Sequence, residues 1–287
     1  MLTIHRVAIV LAGLVYLHMF TLPELHEKPL FLIVTGLYLC VTVFLYGKEK
    51  RQIGKLPESL LKENRKMSST VHRVSLDEGN LKKYNPGQYF FLRFKESKLS
   101  NEAHPFSYSS WNGGDLQAYI KSSGDYTRQM HLLEVGDIGT VEGPYGQLFS
   151  EKMQQSGNPI ICIAGGIGIT PFLSILDWLV QQQSEREILL IWSVSYLEDL
   201  FLLDRLTSYQ SLLKKFNYRI RVTKEKTIDF EYGRITEQSL SNYITKEAKK
   251  QGTFLICGPY DMVESTHEML ESYGIAKEKI CSEKYSY

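Results

Sequence analysis

The stretch Ile160-Ile161-Cys162-Ile163-Ala164-Gly165-Gly166-Ile167-Gly168-Ile169-Thr170-Pro171 constrains this chain more than any other. Its continuous apolar run reads as a strand of a parallel sheet, buried on both faces. The glycines permit a tight turn and a close backbone approach. Pro171 suits the first helical turn, where its missing N–H costs nothing. Phe172–Val180 continues as an apolar-rich helix. A strand, a glycine turn and a helix N-terminus form a ready phosphate site. The spacing is not Gly-x-Gly-x-x-Gly, and such a turn also arises for purely topological reasons.

The flanking sequence gives the turn a context. From Asn158 onward strands alternate with helices: Ile160–Ala164, Ile188–Val194, Tyr218–Val222 and Thr253–Cys257, interleaved with Pro171–Gln181, Leu197–Leu213, Thr236–Lys249 and Tyr260–Tyr273. That grammar predicts a doubly wound parallel α/β sheet over residues 151–287. Residues 67–150 instead hold short β-prone runs, such as Gln88–Phe94 and Leu116–Lys121, separated by glycine turns. They predict an antiparallel β-barrel. Residues 48–66 are polar and read as a linker.

The first 47 residues differ in character. Val7–Phe20 is apolar apart from His18, and Leu30–Tyr46 is a second apolar run; a polar loop with two prolines separates them. With its flanks, each approaches the ~20 residues that span a bilayer. Lys48-Glu49-Lys50-Arg51 and Arg6 put positive charge at the open end, which predicts a transmembrane helical hairpin with both ends inside. The competing readings are a signal peptide, which lacks a small-residue cleavage site, and a soluble helical pair. His5 and His18 lie thirteen residues apart in the first run. On one helix that is ~20 Å along the axis and nearly the same face. An interfacial and a buried, hydrogen-bonded histidine fit this spacing. So do axial ligands of two stacked haems.

Composition removes other classes. The net charge is +1 without a basic run, which excludes a nucleic-acid partner. Four cysteines, Cys40, Cys162, Cys257 and Cys281, are scattered without Cys-x-x-Cys. That fits a reducing compartment rather than a zinc site or a disulfide framework.

Six motifs occur in order: Pro86-Gly87-Gln88-Tyr89, His104-Pro105-Phe106-Ser107, Gly124-Asp125-Tyr126-Thr127, Gly143-Pro144-Tyr145-Gly146, Ala164–Pro171 and Cys257-Gly258-Pro259. Together they resemble the ferredoxin–NADP reductase superfamily over residues 67–287, and within it the ferric-chelate reductase and NADPH oxidase branch. The resemblance implies an FAD-dependent NAD(P)H oxidoreductase. His104, Pro105, Lys121, Gly124, Tyr126 and Thr127 would hold FAD, Phe106 would pack on the flavin, and Ser107 would bond near its N5. Gly165, Gly166, Gly168 and Thr170 would hold the pyrophosphate of NADPH or NADH. Cys257, with Gly258 and Pro259, would sit by the nicotinamide. Tyr285, or alternatively Tyr287, would stack on the flavin. Read on their own, Gly124–Thr127 also form a plain N-cap turn, Cys257 a buried strand-end cysteine and the tail a frayed end. In Trp192-Ser193-Val194-Ser195, Ser195 stands where NADPH-preferring relatives often carry Arg. Ser193 and Ser195 then line the nucleotide site, with Arg221, Lys224 and Arg234 as substitute cations.

The same resemblance implies six membrane helices, of which the two apolar runs match the last two. His5 and His18 would be haem iron ligands for haem b, one per haem, and the others would come from upstream sequence, a separate helical subunit or another copy in a homo-oligomer. The expected function is a plasma- or inner-membrane oxidoreductase with its dehydrogenase domain in the cytoplasm. It would pass electrons from NAD(P)H through FAD and haem to ferric chelate or dioxygen. The alternative is an electron-input subunit, or a soluble-domain NAD(P)H:flavin reductase, that binds no haem itself and docks on a separate membrane partner.

Overall fold

Pro29 opens a 25-residue helix that carries no acidic side chain in its first turn. In the computed structural model, residues 12–19, 22, 29–53, 56–79, 81–95, 98–111 and 114–285 are described, in two units, Met1–Pro57 and Glu58–Tyr287. In the first unit residues 12–19 form α1 and Pro29–Ile53 forms α2. Over Pro29–Lys48 the mean hydropathy is 2.2 and nothing is buried; among the described residues this is the one helix long and apolar enough to cross a membrane. Thr35 and Thr42 donate their hydroxyls to the carbonyls of Phe31 and Tyr38, so the helix satisfies them internally. Gly36 admits Tyr16 of α1, whose hydroxyl a Cβ there would overlap. His5 and residues 7–11 of the first expected apolar run lie outside the described residues, as do residues 20, 21 and 23–28 around the expected loop.

The second unit begins with six antiparallel strands: β1 (Glu58–Lys66), β2 (Val71–Leu76), β3 (Tyr89–Lys95), β4 (His104–Ser107), β5 (Leu116–Lys121) and β6 (Ile138–Tyr145). Their order is β4-β3-β6-β1-β2-β5. The first strand corrects the sequence reading, because β1 lies within the stretch expected to be a linker and pairs with both β2 and β6. Its inward residues Ser59 and Leu61 are buried while Glu58, Leu60 and Lys62 face out. Half of a one-sided strand is polar by construction, which gave it the composition of a linker. Leu61, Val74, Leu76, Phe90, Leu92, Ile120 and Val141 form the barrel core.

The remainder is the expected doubly wound layer. It comprises α3 (Glu151–Gln155), β7 (Ile160–Gly165), α4 (Thr170–Gln181), β8 (Ile188–Val194), α5 (Leu203–Leu212), β9 (Phe216–Val222), β10 (Glu231–Tyr232), α6 (Glu237–Tyr243), α7 (Lys246–Gln251), β11 (Thr253–Pro259), α8 (Tyr260–Ser272) and β12 (Ile280–Tyr285). The sheet is parallel, in the order β10-β9-β8-β7-β11-β12. Every residue of β7 is buried, since helices cover both faces of the sheet. The order reverses between β7 and β11, and the crevice beyond the carboxyl ends of such strands is where ligands bind in open α/β sheets.

Three local features depart from the sequence reading. The expected helix Leu197–Leu213 starts as a single 3-10 turn, Leu197–Asp199, before α5. Thr236–Lys249 divides because Thr245 adopts an extended backbone and caps α7, accepting from the Ala248 N–H at 3.0 Å. Strands β10 and β12 extend the sheet at both edges.

If β1 is a core strand, Leu61→Ala should lower unfolding stability by about 2–5 kcal/mol in a denaturant titration. Lys62→Ala, beside it on the outer face, should cost under about 1 kcal/mol. A freely exposed linker would show neither cost.

Candidate active site

On the barrel side β4 is the edge strand, paired with β3 alone among the described strands, with His104 opposite Leu92 and Ser107 opposite Tyr89. The His104 ring stacks on Tyr126, with centroids 3.9 Å apart and planes 23° from parallel. Six buried side-chain polar atoms lack a hydrogen-bond partner among the described residues, and His104 Nε2 and the Tyr126 hydroxyl are two of them. The Glu102 carboxylate stands 3.6 Å from His104 Nε2, beyond hydrogen-bond reach. Burial lowers the His104 pKa against the opposing pull of Glu102, and raises that of Tyr126 to about 12. Both are therefore neutral at pH 7. Leaving such groups unpaired costs ~1–3 kcal/mol each, and an anionic ligand lying against the stacked rings would satisfy both. These residues thus fit the phosphate-bearing part of FAD.

The other expected flavin contacts are arranged differently. Thr127 Oγ1 accepts from the backbone N–H groups of Ser123 and Gly124, each at 3.0 Å, so this turn closes on itself and presents Tyr126. Lys121 Nζ pairs with Asp199 Oδ1 of the α/β lobe at 3.0 Å. Pro105 is exposed, Phe106 packs half-buried against the barrel core, and the Ser107 carbonyl accepts from Ser109 Oγ at 3.2 Å.

On the α/β side the glycine loop is shaped by packing. A Cβ on Gly168 would overlap the Cys257 carbonyl, and one on Gly165 would strike Met262 Sδ and Pro259 Cδ. Gly166, at φ 53°, faces open space, and is where a ligand can approach the backbone. Thr170 Oγ1 bonds the Ile167 carbonyl at 3.0 Å, and Trp192 Nε1 donates to the Gly166 carbonyl at 2.9 Å. The Tyr285 hydroxyl donates to the Gly165 carbonyl at 2.5 Å and accepts from the Gly168 N–H at 2.9 Å. The C-terminal strand is therefore pinned to this loop. Tyr287 lies outside the described residues.

Register brings the strand ends together. Gly165 pairs with Ser193, which pairs with Arg221 on its other side. Cys257 lies between Ala164 and Glu283, Gly258 pairs with Lys284, and Pro259 with Tyr285. Burial, with the Glu283 charge second, pushes the Cys257 thiol well above its ordinary pKa. It is an uncharged group here, since nucleophilic cysteines need the thiolate.

Glu283 is a site residue that the sequence reading missed. Burial raises its pKa from 4.5 to about 7. Its Oε1 stands 2.7 Å from where a Cβ of Gly146 would be, beside Tyr89, so it reaches from the α/β lobe to the barrel. Its signal in the sequence was only its place two residues before Tyr285.

Of the proposed substitute cations, Arg221 is excluded. Its guanidinium donates to Glu231, Tyr243 and the carbonyls of Tyr232 and Gly233 at 2.6–3.0 Å, which leaves no fork for a phosphate. Lys224 is exposed, its N–H bonds the Ser195 carbonyl at 3.0 Å, and its ammonium lies 5.3 Å over the Tyr196 ring. Arg234 is also exposed, next to Gly233. His18 lies on α1, in the other unit.

Comparison with known proteins agrees with this geometry. A family described as FAD-binding domain matches residues 62–148, and one described as oxidoreductase NAD-binding domain matches residues 162–268. A 2-halobenzoate 1,2-dioxygenase electron transfer component of Burkholderia cepacia is 27% identical, over 86% of this chain and 73% of its own length. Other curated relatives are spanned over as little as 44% of their length. A ferredoxin NADP+ reductase from Neisseria gonorrhoeae, solved with bound FAD and NADP, superposes with TM-score 0.70 at 23% identity, over 80% of this chain and 98% of that one. A flavohemoglobin from Malassezia yamatoensis, with bound FAD and heme, superposes with TM-score 0.68 at 25% identity, over 88% and 67%. The chain therefore belongs to the ferredoxin–NADP reductase-like superfamily, and its second unit is an FAD-dependent NAD(P)H oxidoreductase module.

Proposed function

We propose that the chain is a membrane-anchored reductase of the ferric-chelate reductase and NADPH oxidase branch, feeding electrons from NAD(P)H to an acceptor in the membrane. The observation that supports the reductase core of this reading is the presence, in one unit, of the glycine loop and Cys257–Glu283 edge alongside the unsatisfied His104–Tyr126 pair. FAD would supply the conversion of a hydride into single electrons. The chain's own residues bind and orient. His104 Nε2 and the Tyr126 hydroxyl bond the anionic part of the flavin nucleotide. Gly166 and the α4 N-terminus receive the pyrophosphate of the nicotinamide nucleotide. Glu283, titrating near neutrality, holds and exchanges a proton beside Cys257.

The anchor is α2, whose Pro29–Lys48 stretch matches the bilayer core in length. The cationic residues at its end favour a reductase on the cytoplasmic side of an inner or plasma membrane. In this reading His5 and His18 would each help to hold a haem b, together with residues from upstream sequence, a separate helical subunit or a second copy, and the haems would carry single electrons across the membrane. The final acceptor is ferric chelate or dioxygen. The names of curated relatives, electron transfer components of dioxygenases, favour a second reading: an electron-input subunit that binds no haem itself and hands electrons to a partner protein.

Extracted from membranes with detergent, the chain should take up FAD and oxidise NADH or NADPH only when FAD is present. Failure to bind FAD would overturn both readings. A Soret band in the isolated chain, lost in His18→Ala, supports the first; full FAD-dependent turnover without that band supports the second. His104→Ala should weaken FAD binding about 10- to 100-fold in a fluorescence titration, as expected for a lost hydrogen bond to a charged group. Glu283 should also make stability depend on pH. Its carboxyl ionises at 4.5 when unfolded and about 7 when folded, so the native state binds the extra proton between those values and stability falls as pH rises through them. Glu283→Gln should therefore gain stability over the wild type from pH 4.5 to about 7, with a constant difference above. Thermal melts across that range measure it.

A further inference from the structure

Between the lobes, away from the glycine loop, one guanidinium gathers four acceptors. Arg205, on α5, donates from Nε to the Tyr209 hydroxyl at 2.8 Å, from one Nη to Asp177 at 2.8 Å and to the Ser109 carbonyl at 3.0 Å, and from the other Nη to the Tyr119 hydroxyl at 3.4 Å. Asp177 is itself held by Tyr209, which donates at 2.5 Å, and by the Trp111 N–H at 3.2 Å. Arg205 and Asp177 each leave only 23% of their side chains exposed, while Ser109, Tyr119 and Tyr209 are buried. The group is thus a largely shielded network rather than a surface pair.

Its endpoints give it a meaning beyond stability. Asp177 lies on α4, the helix that starts where the glycine loop ends. Ser109 lies two residues past β4, and its hydroxyl bonds the Ser107 carbonyl at 3.2 Å. Tyr119 lies on β5, two residues before Lys121. One side chain therefore ties the element that holds the hydride donor to the two strands flanking the flavin side. Other polar ties between the lobes, Gly87 to Ser174, Lys121 to Asp199, Ser69 to Glu198 and Trp111 to Gln181, are single contacts without a fork.

We infer that Arg205 is a positioning residue for hydride transfer, fixing the distance and angle between the nicotinamide loop and the flavin-binding strand. The inference rests on the NAD(P)H:FAD reductase activity of the module. The chemistry requires arginine, because a planar fork reaches Tyr209, Asp177 and Ser109 at once and a lysine ammonium cannot. Transfer between two held reactants depends steeply on alignment, and a misplacement of ~1 Å costs ~10²-fold.

The test uses the full chain loaded with FAD, mixed anaerobically with NADH and with NADPH. In Arg205→Lys, flavin reduction at saturating nucleotide should slow about 10- to 100-fold, with the half-saturating concentration unchanged. Long-wavelength charge-transfer absorbance should weaken while FAD stays bound. In protein stripped of FAD, amide hydrogen exchange across residues 107–111 should rise. Asp177→Asn keeps the shape of the partner and removes its charge, and should move the same readouts in the same direction. Two results overturn the inference: wild-type reduction rates in both variants, whatever their melting temperatures, or a loss confined to FAD or nucleotide affinity. Wild-type protein whose bound FAD neither nucleotide reduces would instead overturn the reductase activity itself.

Discussion

The Cys257 carbonyl leaves no room for a side chain at Gly168, and the cleft is organised around that close approach. It presses the loop after β7 against the end of β11 and brings α4 in immediately behind. The hydroxyl of Tyr285 then locks the same loop from the third neighbouring strand. A turn that would bend freely in isolation becomes a rigid platform, and only Gly166 is left facing open space. Two of the glycines are thus demanded by packing, and the third is not.

The two lobes share an apolar seam, where Val71, Tyr119, Leu148 and Phe149 join the α/β core, and several polar ties. Gly87 lets the barrel approach Ile175 of α4, where a Cβ would come to 3.1 Å. The lobes also meet at the Arg205 network, the Lys121–Asp199 pair and the Glu283 carboxyl. Such contacts are directional, so they specify one relative orientation more sharply than burial of the same area would. A reductase needs that property, since donor and acceptor are held by different lobes.

Legibility followed the range over which each residue's role is set. The all-apolar β7, the glycine turn and the alternation of strands and helices were readable because parallel sheets and their turns impose their pattern on neighbouring residues. Strand β1 was not, since its outward face is polar apart from Leu60 and its buried residues are only Ser59 and Leu61. The break at Thr245 was hidden because a threonine cap and a helix-interior threonine look alike until the backbone chooses. Motif by motif, the flavin-side sequence singled out segments but not their geometry. Thr127 closes its own turn, Lys121 pairs with an aspartate, and His104 and Tyr126 form the stacked, unsatisfied pair.

By itself, then, the sequence determined the two-lobed reductase fold, the glycine platform and an apolar stretch of bilayer length, because each is encoded in periodicity and local backbone chemistry. Only the tertiary structure decided that Arg221 is spoken for, that Glu283 is shielded enough to titrate near neutrality, and that Arg205 bridges the lobes. Those properties depend on burial and on partners tens of residues away in the chain. A charge has the same letter in the sequence whether it faces water or a closed network, and its energy differs by the solvation it has lost.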